Sequence, residues 1–295
     1  MFSVISTERS EWRNLFYYFC TLIMKTYRKI DIMGIVNVTD DSFFPESRCF
    51  DVDAALRRIT RMIDEGADII DIGACSTRPG SLPVGAEEEW KRLEPVLAAS
   101  RDIFQNVTLS VDTCWSSVVE KVFDTVGPFI VNDISAGEAD AAMLPAVGRL
   151  GLQYVAMHMR GTPEDMQSLT DYNDVVEDVL DYFRKFAEKA GENGIRDWIL
   201  DPGFGFAKTL DQNYELMRAL GRFKTSLHVD NPPSRILVGV SRKSMIYRLL
   251  DITPEDSLPA TQVLHLTALQ NGADVLRVHD VAEAVRTRNL YLKLA

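Results

Sequence analysis

From residue 30 onward the sequence repeats one alternation. Eight short runs rich in Ile, Val and Leu (KIDIMGIV, ADIIDIG, VTLSVD, PFIVND, QYVAMH, DWILD, RILVGV and ADVLRV) are each followed by a longer segment of helical spacing. Apolar runs of this kind suit strands buried on both faces, and parallel strands need a crossover, which the helical segments provide. Residues 53–66, 87–100, 173–191 and 258–272 are helical candidates, the first and last ending in glycine as a helix C-terminus often does. Two connections echo each other, EGADIIDIG at 65–73 and NGADVLRVH at 271–279. No low-complexity linker divides the chain. The expectation is a single α/β domain over residues 30–295, a (β/α)8 barrel of the TIM type. An open doubly wound sheet is the alternative, but no GxGxxG follows the first run.

Residues 1–29 read as an N-terminal extension. Their apolar stretch, LFYYFCTLIM at 15–24, is too short to span a bilayer, and it lacks the small-residue cleavage site of a signal peptide. It reads equally well as a helix packed on the domain or as an over-long start with Met24 as initiator. No chemistry is expected before residue 30. A net charge of −11 argues against nucleic acid or an anionic membrane as a partner. An anionic substrate would need a local cationic pocket. The four cysteines form no CxxC pair, which points away from zinc and disulfides and towards a reducing cytoplasm.

In a barrel of this kind the chemistry lies at the C-terminal ends of the strands. Here those ends carry Asn37, Asp71, Asp112, Asn132-Asp133, His158, Asp201, Ser241-Arg242-Lys243, and Arg277 with His279. Any one of these Asp residues could be a turn or helix cap. Polar groups at nearly every strand end indicate an active site. The site mixes signs, with carboxylates at 71, 112 and 201 and cations at 78, 243, 277 and 279. Carboxylates accept paired N–H donors and arginines fork onto phosphate oxygens, so a ligand with a donor-rich edge and an anionic tail would use both.

The ordered set NVTDDSF (37–43), DIGACSTRPG (71–80), VDT (111–113), NDISAG (132–137), MHMRGTPEDMQ (157–167), DPGFGFAKT (201–209), GVSRKSM (239–245) and RVHDV (277–281) resembles the dihydropteroate synthase family across nearly all of residues 30–295. That family joins 6-hydroxymethyl-7,8-dihydropterin diphosphate to p-aminobenzoate, giving 7,8-dihydropteroate and diphosphate. The resemblance implies a pterin pocket in which Asp201 accepts from the ring N–H groups. Asn132 and Asp112 complete the polar edge, Lys243 faces the carbonyl, Ile134, Met157 and Phe206 form walls, and Arg277 stacks. It implies that Arg78, Arg277, His279 and Asn37 hold the diphosphate, with Asn37 as a magnesium contact. Phe43, Thr77, Pro79, Lys243 and Ser244 would hold p-aminobenzoate, its carboxylate at the helix opening near Ser244.

The implied mechanism is dissociative, with Asp112, Lys243, Arg277, His279 and Arg78 as catalytic groups and no protein nucleophile. Cys75 is therefore expected to be a bystander, His158 and His265 structural, and His228 a surface residue. The implied partners are the two small substrates and, by family habit, a second copy of the chain; the family is also the sulfonamide target. There are departures. Ala74-Cys75 stands where the family often has Gly-Glu, Asp40 replaces a proline, Ala207 replaces a glycine, and PESR follows DSF in place of an Asp-Gly-Gly region. The competing readings are a methyltetrahydrofolate–corrinoid methyltransferase-like barrel, which has no diphosphate to hold, and a non-catalytic pterin-binding paralogue.

Overall fold

Each of the eight apolar runs is a strand: β1 (Asp31–Asn37), β2 (Ile69–Gly73), β3 (Thr108–Asp112), β4 (Ile130–Asp133), β5 (Gln153–Met157), β6 (Trp198–Asp201), β7 (Arg235–Val238) and β8 (Val275–Val278). The computed structural model describes residues 29–38, 52–75 and 84–295. Every strand pairs in parallel with its sequence neighbours, and β8 pairs with β1, so the sheet closes into a barrel in the order β1 to β8. Between strands run α1 (Val52–Asp64), α2 (Ala86–Ser100), α3 (Ser116–Val126), α4 (Met143–Leu150), α5 (Val175–Glu192), α6 (Leu210–Ala219), the single turn α7 (Arg222–Thr225), α8 (Ser244–Leu250) and α9 (Leu258–Gln270). Helix α10 (Val281–Leu294) follows β8. The expected (β/α)8 barrel is the fold.

Side chains alternate across each strand, so one set points to the helices and the other into the barrel. Ile32, Ile70, Ile72, Val131, Leu200, Val238 and Leu276 belong to the large outer core. Met33, Ile69, Ile130, Val155, Ile199, Leu237 and Val275 form a separate apolar cluster inside the barrel. Burying each such side chain contributes about 1.5–3 kcal/mol. Two residues further along the same strands, on the same inward face, stand Asp71, Asn132, Met157, Asp201 and Arg277. The apolar layer thus closes the barrel beneath a polar one.

The two echoing connections do the same work at opposite sides of the closing seam. Each turns at a left-handed glycine, Gly66 (φ +97°) and Gly272 (φ +104°). Each then presents an aspartate whose Oδ2 accepts a backbone N–H from the start of the preceding strand. Asp68 takes Ile32 N and Asp274 takes Ile236 N, both at 2.9 Å. Arg288 joins Asp68 at 2.5 Å and Lys224 joins Asp274 at 2.7 Å. Among the described residues no helix is long and apolar enough to cross a membrane.

Candidate active site

The centre of the polar layer is Arg277. Its Nε donates to Asp71 Oδ2 at 2.7 Å and its Nη2 to Asp112 Oδ2 at 2.9 Å. Asp71 also accepts from Ser110 Oγ at 2.6 Å and from Asn132 Nδ2 at 3.1 Å. Asp71 has no exposed surface, and it sits at the middle of β2 rather than at its mouth. This revises the reading of it as a strand-end residue of the following loop: it is the buried counter-ion that aims Arg277. Asp133, the other half of the Asn132-Asp133 pair, points away from the site, where Ser135, Gly137 N and Tyr154 OH satisfy it.

Electrostatics follow from crowding charges in little water. Burial, with Asp71, Asp133 and Asp201 nearby, pushes the Asp112 carboxyl up to about 7 against the pull of Arg277. Arg277 is held charged, its carboxylate neighbours outweighing burial. Burial lowers Lys243 to about 8, with Asp201 opposing and Arg277 assisting. Asp201 is raised by burial, and Lys243 is the strongest influence in the other direction. Its Oδ1 takes Gly203 N at 2.8 Å, and Oδ2 makes no hydrogen bond among the described residues.

Lys243 is aimed by the turn that precedes it. Arg242 lies in the left-handed region (φ +54°), a conformation costly for a side-chain-bearing residue. Two bonds of 2.8 Å to Asp280 pin it there. Lys243 then caps α8, puts Nζ on Phe204 O at 2.6 Å and lies 4.7 Å over the Phe206 ring. Ser244 opens that helix. Ile134, Met157 and Phe206 meet in one apolar cluster with Met166 and Ala207. The two aromatics of DPGFGF therefore part company: Phe204 belongs to the outer core and Phe206 to the site.

His279 stands on the rim, exposed, with Nδ1 and its backbone N each 3.2 Å from Ser241 Oγ. Although the ring reaches solvent, the protein packed about it and then Arg277 push its pKa down to about 4. Asn37 is the exposed residue of an otherwise buried β1. Cys75 has its thiol pushed up by burial and by Glu89 and Asp112, the wrong direction for a nucleophile. His158 is buried against Lys208, His265 is buried on α9, and His228 is exposed. Phe43, Thr77, Arg78 and Pro79 lie outside the described residues.

Three contributors were given no role by the sequence reading, although Met166 and Lys208 lie inside its motifs. Ser110 and Met166 look like ordinary strand and loop residues, and Lys208 follows Phe206-Ala207 with nothing to mark it as buried. Ala207, where a glycine was expected, is in the left-handed region (φ +49°), so the backbone keeps a glycine-like shape without the glycine.

Against known proteins, residues 33–279 match the family model described as pterin binding enzyme. The chain is 41% identical over 256 residues to the dihydropteroate synthase of Escherichia coli strain K12, covering 86% of this chain and 88% of that one. Its fold is similar to the Yersinia pestis dihydropteroate synthase solved with a sulfonamide drug complex (TM-score 0.82, 35% identity, 90% of this chain and 94% of that one). It is also similar to the Burkholderia cenocepacia dihydropteroate synthase complexed with 7,8-dihydropteroate (TM-score 0.78, 35% identity, 91% and 92%). The polar barrel mouth, the ordered motifs and these likenesses agree: the chain belongs to the dihydropteroate synthase family of pterin-binding enzymes.

Proposed function

We propose that this site condenses 6-hydroxymethyl-7,8-dihydropterin diphosphate with p-aminobenzoate, each side chain acting as follows. The free Oδ2 of Asp201 accepts from the pterin's 2-amino and ring N–H groups. Asn132 has committed its Nδ2 to Asp71, so its Oδ1 is the acceptor offered to the ring. Lys243 exchanges Phe204 O for the pterin carbonyl and a ring nitrogen, and Ile134, Met157 and Phe206 enclose the faces. Arg277 stacks on the ring and turns its remaining nitrogen, with His279 and Arg78, towards the diphosphate. Phe43, Thr77, Pro79, Lys243 and Ser244 receive p-aminobenzoate.

The C–O bond breaks with its electron pair leaving on diphosphate, whose charge Arg277, Arg78 and His279 stabilise. The pterin cation so formed is stabilised by Asp112, and the arylamine nitrogen attacks its methylene carbon and loses a proton. No covalent enzyme intermediate is needed. Among the described residues no cluster of three or more His, Cys, Asp or Glu could hold a metal. One exposed amide at Asn37 fits magnesium that is bound mainly by phosphate oxygens and water. Bound there, it would add positive charge beside the leaving group.

The observation that carries this reading is the opposition of the Asp201 carboxylate, with one oxygen unpaired, to an Arg277 clamped by Asp71 and Asp112. The test is diphosphate release with both substrates and magnesium, which should require both. A folded protein that binds the pterin and releases nothing is the non-catalytic paralogue instead. A second copy of the chain is proposed to cover α9 and α10, on which Val263 (64% exposed), Leu290 (66%) and Leu294 (80%) each expose an apolar side chain. Sedimentation should give a dimer that Leu290→Glu dissociates. A cytoplasmic setting suits Cys75 and Cys114, neither of which is in a disulfide.

A further inference from the structure

Beneath the pterin end of the site lies a lysine that the roles above do not use. Lys208 is 4% exposed. Its Nζ is 2.9 Å from Gly203 O, 2.9 Å from Phe206 O and 2.9 Å from His158 Nδ1, with His158 O at 3.3 Å. No carboxylate bonds to it among the described residues. Burying an ammonium without a paired carboxylate is expensive, so its neighbours must compensate. Three acceptors at one distance match the three protons of an ammonium. That assignment puts the His158 proton on Nε2, and burial followed by Lys208 and Arg160 drives the His158 pKa well down, which keeps the ring neutral.

The segment around it is loosely specified by its own backbone. Gly203 (φ +72°), Gly205 (φ +83°) and Ala207 (φ +49°) are three left-handed residues within five. Gly203 passes so close to His158 that a Cβ would stand 2.0 Å from its carbonyl oxygen. Such a segment has many shapes open to it, and an ammonium that gathers its carbonyls selects one. In that shape Gly203 N–H holds Asp201, Phe204 O holds Lys243, and the Phe206 ring lies under the Lys243 ammonium. Every polar contact that sets the resting pterin pocket at this end passes through the loop that Lys208 ties together.

We propose that Lys208 is a positioning residue for the pterin: it locks the 203–207 loop that orients Asp201, Lys243 and Phe206. This rests on the reading that Asp201 and Lys243 hold the pterin. Lys208 faces Asp201, Lys243, Arg160 and His158; burial first, then Lys243 and Arg160, lower its pKa well below the ordinary lysine value, against Asp201 and the three acceptors that hold its protons. Asp201 faces Lys243, Arg277, Lys208 and Asp112. The sign of the pH effect follows. Pterin binding needs the carboxylate, so it is present above the Asp201 pKa and lost as pH falls through it. Removing the Lys208 charge raises that pKa, and binding is lost at higher pH.

The test is calorimetric titration of 6-hydroxymethylpterin across pH with wild type, Lys208→Met, Asp201→Asn and the double variant, folding being checked by circular dichroism. Lys208→Met should bind at least tenfold more weakly, with its acid limb moved to higher pH. In the Asp201→Asn background the same change should cost less than threefold. An unmoved acid limb, or losses that simply multiply, would reduce Lys208 to a structural residue and overturn the proposal. Wild-type affinity in Asp201→Asn would instead sink the pterin-edge reading, a separate outcome. Should Lys208→Met not fold, lysine labelled with carbon-13 at Cε supplies the check in the wild-type protein. The Lys208 signal should be that of an ammonium at neutral pH, and a neutral amine there would overturn the proposal.

Discussion

The barrel interior has two layers built from the same strands, one residue pair apart, and they are opposites. The lower layer is Met33, Ile69, Ile130, Val155, Ile199, Leu237 and Val275, apolar throughout. The upper one carries Asp71, Asn132, Asp201 and Arg277, with Ser110 and Asp112 from β3. The strand pleat guarantees that both sets face inward, so the difference lies in side-chain chemistry alone. The lower layer supports the fold without contributing to chemistry. The upper layer holds charges that are unfavourable to bury, and its arrangement makes sense only with a ligand to bind.

The sharpest way to break that division is Arg277→Met. It strands Asp71 and Asp112 without a counter-ion, so stability should fall by about 3–5 kcal/mol, and adding Asp71→Asn should restore part of it. Urea unfolding measures both. In the lower layer Ile199→Ala should cost about 2–4 kcal/mol of stability through a cavity, while pterin affinity stays within about twofold of wild type. A large affinity loss there would mean that the layers are not independent. Asp201→Asn is the reverse case: pterin affinity should drop by about 1.5–3 kcal/mol, with stability unchanged or slightly raised because a buried carboxylate becomes neutral.

The smallest effect belongs to the rim. Burial and then Arg277 push the His279 pKa down to about 4, so the ring without ligand carries no charge to offer at neutral pH. Diphosphate favours its protonated form, so its affinity gain is complete below the free pKa and lost as pH rises through the pKa of the complex. Between about pH 8 and pH 6 the affinity should strengthen by roughly threefold to tenfold more in wild type than in His279→Gln, with proton uptake seen by calorimetry in two buffers. Equal pH dependence in the two proteins would remove His279 from the diphosphate site.

All eight strands and the four helices expected from spacing were legible because apolar runs and helical period are local properties. The inward polar residues were legible too, since Asp, Asn and Arg two positions beyond a buried Ile or Val are conspicuous. Partnership was not. Asp71 reads as a loop-opening residue until the closed barrel sets β2 and β8 on either side of β1, which brings Arg277 to it across 206 residues of chain. Lys208 is a surface residue by type, and only the curl of 203–207 makes acceptors for it. The split between Phe204 and Phe206 likewise depends on which way each faces once Gly203 and Gly205 have turned the backbone.

The closing seam of the barrel has a consequence for how the molecule comes into being. Its ties are distant in sequence: Asp31 with Arg235 across 204 residues, Asp68 with Arg288 across 220, and Arg288 with Ile30 O across 258. Contacts of such separation form late, because loop closure must be achieved before they return anything. During synthesis β1 and β7 are therefore bare edges until residues 275–278 emerge, and a nascent chain is exposed to edge pairing with its neighbours throughout that time. The residue that finally brings the active-site charges into balance, Arg277, arrives on that same last strand. Catalytic competence and escape from aggregation are thus reached in one step.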